Sequence, residues 1–185
     1  MEDAIIMSWV SKALNAIATI AFVAVAVAIG STDQARADSL TDAMDTRPTH
    51  VVINYAGIAA SGYDVVAFVT RGRAVKGRRD TTAEYDGATY RFANDANREI
   101  FMTDPRALEP QFGGYAAYGV RLGRKATPDT PLIWQVSDDK LYFFADEETK
   151  ALWNEDVEFN TRVAQNIWQQ IRIVPPALLV KSDTD

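Results

Sequence analysis

Cysteine is absent from the 185 residues, and histidine occurs once, as His50. The first absence excludes disulfides, thiol nucleophiles, thiolate metal ligands and cysteine-held iron–sulfur clusters together. The second leaves any metal site or nucleophilic triad to one imidazole, whereas tight transition-metal sites ordinarily gather several nitrogen or sulfur donors. Positive charge is also short. The formal net charge is −6, while a nucleic-acid partner demands a basic face. One basic block exists, formed by Arg71, Arg73, Lys76, Arg78 and Arg79. Gly72 and Gly77 interleave it and aromatics do not, so it reads as a solvated loop. Phosphate-cradling loops and nucleophile elbows are missing too. Residues 38–185 show no internal repeat.

What is present begins with an apolar stretch from Ala13 to Ile29, interrupted by Asn15 and Thr19. Lys12 precedes it, and Ala35-Arg36-Ala37 supplies the small-x-small pattern read by a signal peptidase. Residues 1–37 are therefore expected to be a signal peptide cleaved after Ala37. Met7 is an alternative start, since Glu2 and Asp3 open the chain with the wrong charge. The rival reading is an uncleaved anchor, the one route by which this chain would meet a membrane. Alanine dominates the stretch and is weakly apolar, which favours cleavage. Cleavage removes Lys12, Arg36, Glu2, Asp3 and Asp33 and changes the charge from −6 to −5. The compartment expected is periplasmic or secreted.

Residues 38–61 read as a polar leader followed by a first short strand at Val51-Val52-Ile53. The body, residues 62–174, alternates hairpin and helix signals. Asp86-Gly87 separates Thr82–Tyr85 from Ala88–Phe92 and predicts a tight hairpin turn. Asn94 predicts a helix cap, with Ala96, Ile100 and Phe101 at helical spacing behind it. Asp104-Pro105 starts a further turn of helix, with proline at the first helical position. Tyr115, Tyr118 and Leu122 predict a short helix over 114–122, stopped by Gly123. Ser137-Asp138-Asp139 separates Ile133–Val136 from Lys140–Phe144, a second hairpin. Asp146 opens an amphipathic helix carrying Thr149, Leu152 and Trp153 on one side. After Asp156 a longer helix repeats Phe159, Val163, Ile167 and Ile171 every fourth residue, with Ala164 and Trp168 as a neighbouring stripe to bury against a sheet. Pro175-Pro176 ends it, and residues 175–185 form a tail.

The strings GYDVVAF, AVKG, AEYDGATYRFA, DPRALEPQFGGYAAYG and KLYFF, with Trp153 beyond them, resemble the YHS-domain family in its exported single-domain branch. The resemblance spans about Gly62 to Ile171. It implies an α+β fold in which two β-hairpins pack with short helices and a longer C-terminal helix. It also implies a thiol or selenol within GGYAAYG, where this chain has Ala116, and metal-associated cysteines where it has Ala93 and Asn97. A methyl group has no lone pair to donate and no proton to lose, so that chemistry is not carried over. Val65 replaces a proline common in the branch.

Asp64 has two readings, a helix cap or a buried acid facing a pocket. Tyr63, Gln111, Tyr115, Ala116 and Tyr118 complete the candidate pocket, either as packed core or as the lining of a shallow site. The function expected is an exported, non-enzymatic binding or accessory module. Its partner would be an unidentified small molecule or envelope protein, with no cofactor, no catalytic residue, no metal ligand and no nucleic acid. The alternative is a metal-handling envelope protein using oxygen ligands and His50. A carboxylate-dependent enzyme is a third, weaker class.

Overall fold

The computed structural model describes residues 50–179; the expected signal peptide, the leader up to Thr49 and the end of the tail lie outside the described residues. Turn chemistry sets the first hairpin. Strands β1 (Thr82–Tyr85) and β2 (Ala88–Arg91) pair antiparallel with Tyr85 opposite Ala88. Asp86 and Gly87 both take positive φ, at 48° and 79°, the geometry that matches strand twist in a two-residue turn. Strands β3 (Trp134–Ser137) and β4 (Lys140–Phe143) form the second hairpin, with Ser137 opposite Lys140. Its turn is Asp138-Asp139, and there both aspartates adopt positive φ without a glycine.

All the α-helices among the described residues except the one after Ala116 begin at a side-chain cap. Helix α1 (Val65–Arg71) starts at Asp64, α2 (Asp95–Thr103) at Asn94, and α3 (Pro105–Leu108) at Asp104. Helix α4 (Ala117–Arg121) has Ala116 at its cap and no side chain there to accept. Helix α5 (Glu147–Asn154) starts with a reciprocal capping box between Asp146 and Thr149, and α6 (Val157–Ile171) starts at Asp156. The result is α+β, two small antiparallel sheets and a long C-terminal helix. Among the described residues no helix is long and apolar enough to cross a membrane.

Strand β4 organises the packing. Leu141 and Phe143 point into one core with Val66, Phe68, Tyr90, Phe92 and Phe101. Tyr142, with Phe144 just past the strand, points into a second core with Phe112, Val120, Trp153 and Ala164. Successive strand side chains face opposite ways, so one strand serves two cores.

Four expectations need correction. Val51-Val52-Ile53 forms no strand; Ile53 makes an isolated bridge to Ala59, and the Val52 amide bonds to Gly113 instead. These residues nevertheless join the body, since Val51, Ile58 and Ala59 are buried. On α2 the buried pair is Asn97 and Phe101, leaving Ala96 and Ile100 exposed. The helix expected over 114–122 covers Ala117–Arg121, because Phe112 and Gly113 take positive φ within a preceding 3-10 turn over Gln111–Gly114. That shift leaves Tyr115 ahead of the helix. Helix α6 buries a line through Asn160 and Ala164 with Trp168 half-buried, and Phe159 is exposed. The helix packs on α4 as its main neighbour rather than on a sheet. Asn160 explains the rotation: its Nδ2 donates to the Trp153 and Leu152 carbonyls, and its Oδ1 accepts from Arg121 Nε.

Candidate functional site

Asp64 is fully buried, and its carboxylate is an acceptor for four donors. Oδ1 accepts from the Val66 and Ala67 amides at 3.0 and 3.2 Å. Oδ2 accepts from the Ala93 amide at 2.8 Å and from Asn97 Nδ2 at 2.6 Å. The cap expected from sequence is present, and the same carboxylate clasps the β2–α2 junction to α1. Ala93 and Asn97 are the two positions at which the YHS resemblance places metal-associated cysteines. Here both donate to Asp64, so the space between these positions is closed by hydrogen bonds.

Ala116 is 1 % exposed. Its amide donates to the Ala126 carbonyl at 2.9 Å, and it bridges to Phe143. A crevice of about 20 Å³ nearby is lined by Val52, Gly114, Pro128, Pro131 and Phe143 among others, room for one water-sized sphere. Tyr115 is also buried, with its ring near Trp168. Tyr63 is half-buried, with Lys76 Nζ 3.9 Å from its ring centroid. Tyr118 is half-buried beside the Arg121 guanidinium. Tyr63 and Asp64 belong to the start of α1, while Tyr115, Ala116 and Tyr118 belong to the start of α4. Of the candidate pocket residues, only Gln111 lines the larger groove described next.

That groove, about 850 Å³, runs between the two hairpin turns and the end of α6. Asp86 enters from the first turn, Lys140 from the second, Glu109 and Gln111 from the segment after α3, and Trp168 and Arg172 from α6. Gly113 forms part of its floor. A side chain there would place its Cβ 1.8 Å from the His50 carbonyl oxygen, so this close approach requires glycine. His50 Nε2 lies 2.9 Å from Asp86 Oδ2 and 3.2 Å from the Asp86 carbonyl oxygen. One imidazole beside one carboxylate is a short donor set for a transition metal. Among the described residues no group of three or more histidine, aspartate or glutamate side chains stands together.

Glu109 is the residue that sequence reasoning passed over. Burial and the neighbouring Asp86 push its carboxyl up to about 7, against Arg106, which draws it down. Its surroundings come from the first hairpin and from α3, and no local pattern around Leu108-Glu109-Pro110 announces them. Burial likewise draws Lys125 down to about 8. Lys125 Nζ donates to the Arg172 and Val174 carbonyls at 2.6 and 2.7 Å, holding the C-terminal end of α6. A scan against protein-family models, a search of curated proteins and a search of solved structures each return no match.

Proposed function

We propose that this chain is an exported, YHS-like binding or accessory module, non-enzymatic, in which the thiol and metal positions of the resemblance have become structural. The observation that carries this reading is the closure around Asp64, where Ala93 and Asn97 donate hydrogen bonds to a buried carboxylate. A metal ion there would have to displace two donors from Asp64 and leave the Asn97 amide buried without its partner, which costs free energy. Ala116, buried against Phe143, supports the same reading at the thiol position. The ligand face is then the groove between the hairpin turns, which joins Trp168 to charges of both signs.

Metal analysis of the purified chain after dialysis tests the reading directly. The expected result is copper, zinc and iron well below one equivalent. A stoichiometric ion that survives dialysis, and that is lost in His50→Ala, would establish the metal-handling alternative instead. Fractionation of the producing cell tests the export part: the chain is expected outside the cytoplasm, lighter by the mass of residues 1–37.

A further inference from the structure

The basic block between α1 and β1 is exposed but not loose. Arg71, Arg73, Lys76, Arg78 and Arg79 all face solvent, yet the backbone that carries them is bolted down. The Arg73 amide donates to the Ala67 carbonyl, the Gly77 amide to Gly62 and the Arg78 amide to Phe92, while Val75 accepts from the Asp64 amide. Gly77 lies so close on the end of β2 that a Cβ there would stand 2.5 Å from the Arg91 carbonyl carbon, an approach that requires glycine. Lys76 is held as well, its Nζ over the Tyr63 ring and 3.5 Å from the Ser61 carbonyl oxygen. Within the block Arg78 meets an acid, Asp80 at 2.9 Å. Arg71, Arg73, Lys76 and Arg79 meet none among the described residues.

Residues 71–80 carry five basic side chains and one acid, whereas 138–158 carry eight acids and two bases. Attraction to an anion therefore belongs to this loop and not to the molecule as a whole. No aromatic side chain interrupts the run, and its one β-branched residue, Val75, is half-buried. A protein partner would find no anchor to bury there, and a nucleic acid no ring on which to stack a base. A phosphate surface needs neither. Guanidinium groups, four of the five cations here, pair with phosphate oxygens two bonds at a time. We infer that this loop is a docking surface for an anionic lipid bilayer, held by headgroup phosphates without apolar insertion. The inference goes beyond the binding-module reading, uses no residue of the groove, and gives the chain a route to a membrane that needs no apolar anchor. Because folding already fixes the loop backbone, little ordering entropy is lost on docking.

Co-sedimentation of the chain, as isolated from the producing cell, with vesicles of equal parts phosphatidylglycerol and phosphatidylcholine tests the inference. Binding is expected at about 0.1 M salt, where screening confines each charge to about 10 Å, and is expected to vanish at about 1 M. Vesicles of phosphatidylcholine alone should not bind. Each cation near an anionic surface changes partitioning roughly fivefold. Arg73→Gln with Arg79→Gln should therefore weaken binding about 25-fold. Arg124→Gln with Arg162→Gln removes the same charge elsewhere and should change it less than about twofold. All four side chains are exposed, so both double variants are expected to fold, as circular dichroism would check. Equal losses from the two pairs would show that net charge and not the loop drives adsorption, and would overturn the inference. Binding that persists at about 1 M salt and ignores both pairs, the mark of insertion through residues 1–37, would also overturn it. So would polyglutamate held more tightly than the vesicles at equal salt, the mark of an acidic protein partner. Failure to bind the mixed vesicles overturns it outright, and the metal analysis that tests the module reading is unaffected by any of these results.

Discussion

Asp64 faces donors from both sides of the chain's first core, and replacing it tests how that core is held. Asp64→Asn keeps the shape but turns one acceptor into a donor that meets donors. The expected loss is about 2–4 kcal/mol, the combined cost of a charged hydrogen bond and buried unsatisfied amides, read from urea unfolding. A change below about 0.5 kcal/mol, ordinary for a surface position, would contradict the clasp. Half of the residue's role was legible: an acid directly before an apolar helical run is a cap. The other half comes from Ala93 and Asn97, 29 and 33 positions away, a separation that no local pattern bridges.

Hairpins and helix starts were legible because each depends on neighbours in sequence. Turn residues, caps and alternation supplied both hairpins and the helices after Asn94, Asp146 and Asp156 nearly to the residue, but not the helix Val65–Arg71, and they added a strand at Val51–Ile53 that does not form. The second hairpin shows where local rules are obeyed at a cost. Asp138 and Asp139 both sit at positive φ, 49° and 58°, which an L side chain tolerates poorly. Asp139→Gly is therefore expected to stabilise the protein by about 0.5–1 kcal/mol, seen as a raised thermal midpoint. No gain would mean that the aspartate side chain already compensates its backbone. Helix α6 marks the limit of periodicity. Hydrophobic spacing selected the line Phe159-Val163-Ile167-Ile171 with Ala164 and Trp168 beside it; the second stripe faces the core, and the helix turns by one residue further towards Asn160 while Phe159 is exposed. A polar residue wins the buried place because it satisfies the Leu152 and Trp153 carbonyls and Arg121 at once. Hydropathy scores such a residue as surface.

At the scale of the molecule, two titrations shape stability against pH. Glu109 binds its proton more tightly folded than unfolded, about 7 against the ordinary 4.5. Its contribution is fully present below the unfolded value and is lost as pH rises through the folded one. Lys125 is the mirror case, held to about 8 from 10.5, so the unfolded chain binds more protons across that interval and stability rises with pH there. Thermal midpoints followed through these ranges should fall from acid to neutral and recover towards alkaline pH. Glu109→Gln should remove the first limb, and an unchanged acid limb in that variant would assign it to other groups. The groove escaped sequence analysis for the same reason as these shifts: its walls come from separate segments of chain, brought together by both hairpins and α6. Strand β4 carries a final consequence. Because Leu141 and Phe143 fill one core while Tyr142 and its successor Phe144 fill the other, neither half can lock until this late stretch arrives. The first core has all its buried members once Phe143 is made, whereas the second still waits for Trp153 and Ala164, so the two halves close in succession rather than together.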